Sequence, residues 1–307
     1  MLVVGGENLI DLVQIGMEDG LPLYSANPGG SPFNVAMAAG RQGFPVSYLT
    51  PISTDSSGEL LANRLTESHV TLASERHTAP SSMAVVSLAD GIPTYSFYRE
   101  GTAERHVTSD MLKSQLPVDA TIFHIGSLGL AGGDDAESWE AFAAYCKESN
   151  LCVSLDPNVR ASLIADPKSY RARIARLMGL ADIVKLSDED LGWLYEGMSE
   201  TAALQELIKA SSASVVVLTR GGEGASVWHD DSWTDIKAKA VSELKDTVGA
   251  GDTFMATMLV WLAGSGQLSN LSSLSLADKM QMVEKAAKAA AINCGRQGCN
   301  PPWKDEL

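Results

Sequence analysis

The chain has 307 residues and a mass of 32.5 kDa, is 45% hydrophobic and 20% charged, and is long enough to bury a large core. A formal charge of −15 and a pI near 4.7 leave no basic surplus for a nucleic-acid backbone, although a small anionic molecule needs only a few local cations and N–H groups. No apolar run reaches membrane-spanning length, and the opening Met1-Leu2-Val3-Val4-Gly5 carries no basic leader. The four cysteines, Cys146, Cys152, Cys294 and Cys299, include no C-x-x-C pair, so reduced thiols in a cytoplasmic protein are expected.

In chain order, residues 2–4 read as a short buried strand and residues 12–26 as a β-ribbon. A helix over 34–41, a strand over 46–50 and a helix over 58–67 follow. Residues 83–98 read as a second ribbon, a hairpin turning at Asp90-Gly91. Apolar strands at 121–125, 152–155, 183–186 and 215–218 then alternate with helices at 134–149, 167–178, 188–195 and 201–210. Helices over 254–262 and 277–293 close the pattern. Near-continuous apolar strands between helices imply a three-layer α/β/α fold around a mostly parallel sheet, covered on both faces. The ribbons are too short for a core of their own, so residues 1–307 read as a single domain with 12–26 and 83–98 forming a small β lid. His124 falls inside an apolar strand and reads as a hydrogen-bonded core residue.

Ligands of such sheets sit beyond the carboxyl ends of the strands. Residues 156–160, 185–190 and 219–224 fall there. A further candidate is Asp246-Thr247-Val248-Gly249-Ala250-Gly251-Asp252-Thr253-Phe254, an acid and a Gly-rich turn running into a second acid at a helix start. Unpaired N–H groups and the helix dipole make that turn attractive to phosphate. An acid beside an anion site suits a base that takes a proton from a hydroxyl attacking a phosphoryl group. On this reading Asp252 is the base, and the N–H groups of Gly249, Ala250 and Gly251 stabilise phosphoryl charge. An ordinary capped helix after a tight turn explains the stretch equally well when it is taken alone. There is no G-x-x-x-x-G-K-[ST] loop.

With Gly29-Gly30-Ser31-Pro32-Phe33-Asn34-Val35-Ala36 added, the chain resembles the PfkB (ribokinase-like) family of carbohydrate kinases along nearly its whole length. The resemblance implies ATP-dependent phosphorylation of a sugar under a lid that excludes water. It implies that Asp11, Gly29, Gly30 and Asn34 bind sugar hydroxyls and that Arg99 and Arg160 serve the sugar or the transferred phosphate. It assigns Lys185, Ser187, Thr219, Gly221 and Gly224 to the nucleotide, and Asp190 to the Mg²⁺ network in place of the usual Glu. It further assigns Asp246 and Val248, with backbone near Gly298, to a monovalent-cation loop favouring K⁺.

Within the family, Asp156-Pro157-Asn158-x-Arg160, Lys185-Leu186-Ser187-Asp188-Glu189 and Phe97-Tyr98-Arg99 look like the fructokinase and 2-keto-3-deoxygluconate kinase branch. Fructose is the first choice of substrate; 2-keto-3-deoxygluconate, an aminosugar or a nucleoside remain open. A non-catalytic sugar-binding protein on the same fold is the reading from another class. Apolar lid residues Val85, Val86 and Leu88 suit a homodimer through the lid.

Overall fold

The computed structural model describes residues 1–89, 92–241 and 243–307; the expected Asp90-Gly91 turn and the side chain of Leu88 lie outside the described residues. The chain runs through β1 (Leu2–Val4), β2 (Leu9–Glu18), β3 (Leu21–Gly29), α1 (Ser31–Arg41), β4 (Val46–Tyr48), α2 (Ser56–Glu67) and β5 (Val70–Leu72). It continues with β6 (Ser82–Ala89), β7 (Ile92–Tyr98), α3 (Ser109–Ser114), β8 (Ile122–Gly126), α4 (Asp134–Glu148), β9 (Cys152–Asp156), α5 (Pro167–Leu180) and β10 (Ile183–Ser187). Then come α6 (Asp188–Leu194), α7 (Glu200–Ala210), β11 (Val215–Thr219), β12 (Ala225–His229), β13 (Ser232–Ile236), α8 (Ala250–Gly264) and α9 (Leu276–Cys294).

Nine strands form the main sheet in the order β13-β12-β11-β10-β9-β8-β1-β4-β5, parallel from β11 to β5 and antiparallel at β12 and β13. Successive strand residues point to opposite faces. Leu2, Val4, Val215 and Val217 therefore join one core, with α1, α2, α8 and α9. Val3, Val216 and Leu218 join the other, with α4, α5, α6 and α7. Helix α8 buries Phe254, Met255, Ala256, Met258, Leu259 and Leu262, and all eleven residues of α1 are buried. Strand order reverses beside β1, which pairs with β4 on one side and β8 on the other. Such a reversal opens a crevice at the strand ends.

The second sheet has the order β3-β2-β6-β7. Its centre is the parallel pair β2–β6, running from Leu9↔Ser82 to Val13↔Val86. The expected ribbons thus merge into one sheet. The first is longer than residues 12–26, because pairing continues at its inner end from Leu12↔Ala26 back to Leu9↔Gly29, where Leu9 and Ile10 are buried. Its turn places Asp19 and Gly20 at φ 50 and 80, the left-handed pair that a two-residue hairpin turn requires.

Three other differences have local causes. Helix α1 begins at Ser31 rather than 34, because Gly30 caps it at φ 111 and Pro32 fits the first turn. Helix α8 begins at Ala250 rather than 254, capped by Gly249. The β12–β13 hairpin was not expected; Asp230 and Asp231 turn it at φ 44 and 59.

Candidate active site

The site is built where α8 meets α1. Gly249 sits at φ 74, and a Cβ there would lie 2.1 Å from Cys299 Sγ, so only glycine fits. Thr253 N–H makes the first bond of the helix, to Gly249 O at 2.8 Å, while Ala250 N–H is taken by Thr247 O at 3.2 Å. This corrects the expectation for Ala250: its amide closes the turn, and the amides of Gly251 and Asp252 are the ones left without a carbonyl of their own helix.

Asp252 is buried, and its carboxylate is held from α1. Ser31 Oγ donates to Oδ1 at 2.7 Å and Asn34 Nδ2 donates to Oδ2 at 2.8 Å. Asn158 Nδ2 donates to Ser31 Oγ at 2.7 Å and reaches Asp252 Oδ1 at 3.4 Å. Arg160, exposed, folds back to donate to Asn158 Oδ1 at 2.5 Å. Burial pushes the Asp252 carboxyl above its ordinary range, opposed by the bonds from Ser31 and Asn34 and by the charges of Lys185 and Arg160. Asn34 Oδ1 is buried with no protein partner, an acceptor suited to a sugar hydroxyl. Asp11 lies against Gly29, where a Cβ would stand 2.5 Å from its Oδ2. Burial pushes Asp11 up to about 6, with Arg160 opposing. Gly30, at φ 111, leaves a Cβ only 2.8 Å from Glu7 O.

Arg99 does not join this group as expected. Its guanidinium fork is spent on Glu104, at 2.8 Å from Nε and 3.1 Å from Nη2, with Glu104 buried and Arg99 largely so. Glu104 also accepts from Ser82 Oγ at 2.9 Å, so the pair ties the outgoing end of β7 to the start of β6. The charge of Arg99 reaches Glu7 as well, a buried acid whose carboxylate takes Ser31 N–H at 2.8 Å and Gly129 N–H at 3.3 Å.

Thr219, Gly221 and Gly224, the residues expected to meet the nucleotide, form the turn after β11, with Gly221 at φ 49 and Gly224 at φ 116. Gly224 packs against the backbone of residues 236–238, which leads into an open cleft of ≈ 620 Å³ walled by Lys239, Val241, Lys288, Ala291, Ile292 and Arg296. Lys185 is not on this turn. It is buried beneath the site, 2.7 Å from Asp156 Oδ2, because β9 and β10 run side by side. Ser187 and Asp190 face each other in a capping box: Asp190 N–H donates to Ser187 Oγ and Ser187 N–H to Asp190 Oδ2, both at 3.0 Å. Val159 N–H takes the other Asp190 oxygen at 2.6 Å. The shorter acid is therefore turned back to clamp α6 to the loop after β9.

Asp246 accepts from Val248 N–H at 3.0 Å and Gly298 N–H at 2.9 Å, and Asn293 Nδ2 donates to Val248 O at 2.8 Å. The two loops expected around a monovalent cation are thus joined. Among the described residues no group of three or more His, Cys, Asp or Glu side chains is placed to hold a metal ion.

Glu7, Ser31, Asp156 and Asn158 were not singled out as site residues from the sequence. Ser31, Asp156 and Asn158 stood inside the motifs quoted; an acid three residues after a buried strand was the signal for Glu7. His124 is as expected, buried and bonded to Ser154 Oγ at 3.0 Å.

Comparison with known proteins agrees with this fold. Residues 3–306 match the pfkB family carbohydrate kinase model. A fructokinase of Rhizobium leguminosarum bv. trifolii is 38% identical over 278 residues, 90% of this chain and 84% of that protein. Fructokinase-1 of Zea mays is 29% identical over 100% of this chain and 95% of its own. Among solved structures, fructokinase from Vibrio cholerae O395 in its fructose, ADP and calcium ion bound form gives a TM-score of 0.82 at 28% identity, covering 97% of this chain and 94% of that one. Fructokinase from Xylella fastidiosa with bound ATP gives 0.85 at 25% identity, covering 97% and 93%. The fold is ribokinase-like, and the chain belongs to the pfkB family of carbohydrate kinases.

Proposed function

We propose that the protein is an ATP-dependent fructokinase, transferring the γ-phosphoryl group to a primary hydroxyl of the sugar. Family membership makes it a sugar phosphotransferase, and relatives named fructokinase support fructose as the acceptor. The observation that carries the chemistry is the buried Asp252 carboxylate, fixed by Ser31 and Asn34 at the amino end of α8. In this reading Asp252 takes the hydroxyl proton as the oxygen attacks, and the amides of Gly251 and Asp252 meet the charge on the phosphoryl oxygens.

Asp11, Gly29, Gly30 and Asn34 hold the sugar, with Arg160 as the cation at its edge. Because Arg99 is committed to Glu104, only Arg160 remains of the two arginines expected to favour an acidic sugar, and a neutral one fits better. Thr219, Gly221 and Gly224 lead the nucleotide into the cleft between residues 239–241 and α9. Magnesium would neutralise the nucleotide phosphates, and K⁺ suits the joined 246–248 and 298 loops. The four-stranded sheet serves as the lid of a single unit spanning 1–307. Exposed Ile15, Met17 and Leu21 on its β2–β3 ribbon support a homodimer through the lid more than half-buried Val85 and Val86 do. Four free cysteines fit a cytoplasmic protein.

The test is ATP consumption with Mg²⁺ and K⁺ across fructose, ribose, 2-keto-3-deoxygluconate and adenosine. A signal dependent on fructose is expected. Binding of sugar without consumption of ATP would move the assignment to a non-catalytic binding protein.

A further inference from the structure

We propose that the buried Asp156–Lys185 pair supports the base electrostatically: Lys185 stands behind the Gly251 turn and keeps Asp252 ionised, while Asp156 holds Lys185 in place. The inference rests on the kinase reading above. Lys185 and Asp156 lie on adjacent strands with side chains 4% and 0% exposed, 2.7 Å apart. A Cβ on Gly251 would come 3.1 Å from Lys185 Nζ, so the ammonium abuts the turn that delivers both the base and the phosphoryl-facing amides.

The charges around Asp252 are few. Lys185 faces it from β10, Asp156 from β9 and Arg160 from the loop after β9; Cys299 approaches from the segment after α9, and α1 supplies only the neutral Ser31 and Asn34. Burial, and after it the charge of Asp252, holds the Cys299 thiol well above its ordinary range, so it stays neutral. Asp190 also faces Lys185, and its carboxylate accepts two backbone N–H groups. Arg160 is exposed and screened by water, which leaves Lys185 as the unscreened cation.

A buried ion pair is a weak contributor to stability, and this one is only half satisfied, since Asp156 Oδ1 is buried without a partner among the described residues. Its geometry is explained by what Lys185 does for its neighbours. Lys185 is in this sense a positioning residue, acting through Asp252 and not on the substrate.

The experiment compares Lys185→Met, Lys185→Arg and the double variant Asp156→Asn/Lys185→Met with the native enzyme, using fructose and ATP. The double variant leaves no unpaired buried charge and so separates the cation's role from the pair's contribution to folding. In both Met variants kcat should fall at least about tenfold at neutral pH, with the fructose KM within about threefold. The acid limb of the kcat profile should move upward by about one pH unit, because without the cation Asp252 keeps its proton to higher pH. Lys185→Arg should leave that limb in place. A double variant with native kcat and an unmoved acid limb would overturn the inference and leave the pair a folding element. Native protein that consumes no ATP with any sugar would instead overturn the kinase reading.

Discussion

Replacing Asp252 with Asn separates the base from the scaffold around it. The native carboxylate accepts from Ser31 Oγ at 2.7 Å and Asn34 Nδ2 at 2.8 Å. An amide with its oxygen toward Asn34 keeps that bond and presents its NH₂ to Ser31 Oγ, which can turn its own proton away and accept. Volume is conserved, and Ser31 Oγ then accepts from both Asn158 and the new amide. Burial raises the Asp252 carboxyl, so the folded state holds that proton more tightly than the unfolded chain does, and its ionisation works against stability as pH rises through that interval. The neutral variant should therefore melt no lower than the native protein at neutral pH. What it lacks is a proton acceptor, a loss of about 10²–10⁴ in turnover, or about 3–5 kcal/mol of barrier. The assay is fructose-dependent ATP consumption, with calorimetry to show that fructose still binds. Turnover within about tenfold of native, in a variant that binds sugar normally, would refute Asp252 as the base.

Asp11, pushed up to about 6 by burial, should accept a sugar hydroxyl best once ionised, so the KM for fructose should rise as pH falls through about 6. Asp11→Asn should flatten that dependence, weaken sugar binding and raise the melting temperature at neutral pH, since a carboxyl with a raised pKa loses stability on ionising. Arg99→Met leaves Glu104 buried and unpaired, which should cost about 3–5 kcal/mol in denaturant unfolding, with Arg99→Met/Glu104→Gln recovering most of it. Its affinities for neutral and acidic sugars should fall alike; a selective loss for acidic sugars would return Arg99 to the substrate. Gly249→Ala puts a methyl group 2.1 Å from Cys299 Sγ at φ 74, and should lower both kcat and stability, the backbone alone contributing about 1–2 kcal/mol. Cys299→Ala in the same chain should recover only part, because the Cys299 Cβ stands 2.7 Å away.

The main sheet was legible because strands covered on both faces carry no polar alternation: Val215, Val216, Val217 and Leu218 are apolar in sequence and buried in space. The β12–β13 hairpin escaped because its turn is Asp230-Asp231, without the glycine that usually marks left-handed backbone. Asp252, Asn34, Gly29 and Gly30 were found because each stands in a short motif. Their supports were not: the Ser31–Asp252 bond joins residues 221 apart, and no local pattern encodes such a contact. Arg99 and Lys185 show the reverse: the resemblance assigned both to ligands, and the sequence held no sign that their charges pair with Glu104 and Asp156 inside the protein.

Helix α1 has a consequence for how substitutions in this protein would be read. A surface helix tolerates change along one stripe, and a mutational scan shows that stripe at every third or fourth position. Because every residue from Ser31 to Arg41 is buried, a scan across this segment should return an unbroken block of intolerance. Only Ser31 and Asn34 within it touch the Asp252 carboxylate. Intolerance at Val35, Ala36 or Ala39 would then measure space rather than chemistry, and a map of sensitive positions would overstate the active site by most of a helix.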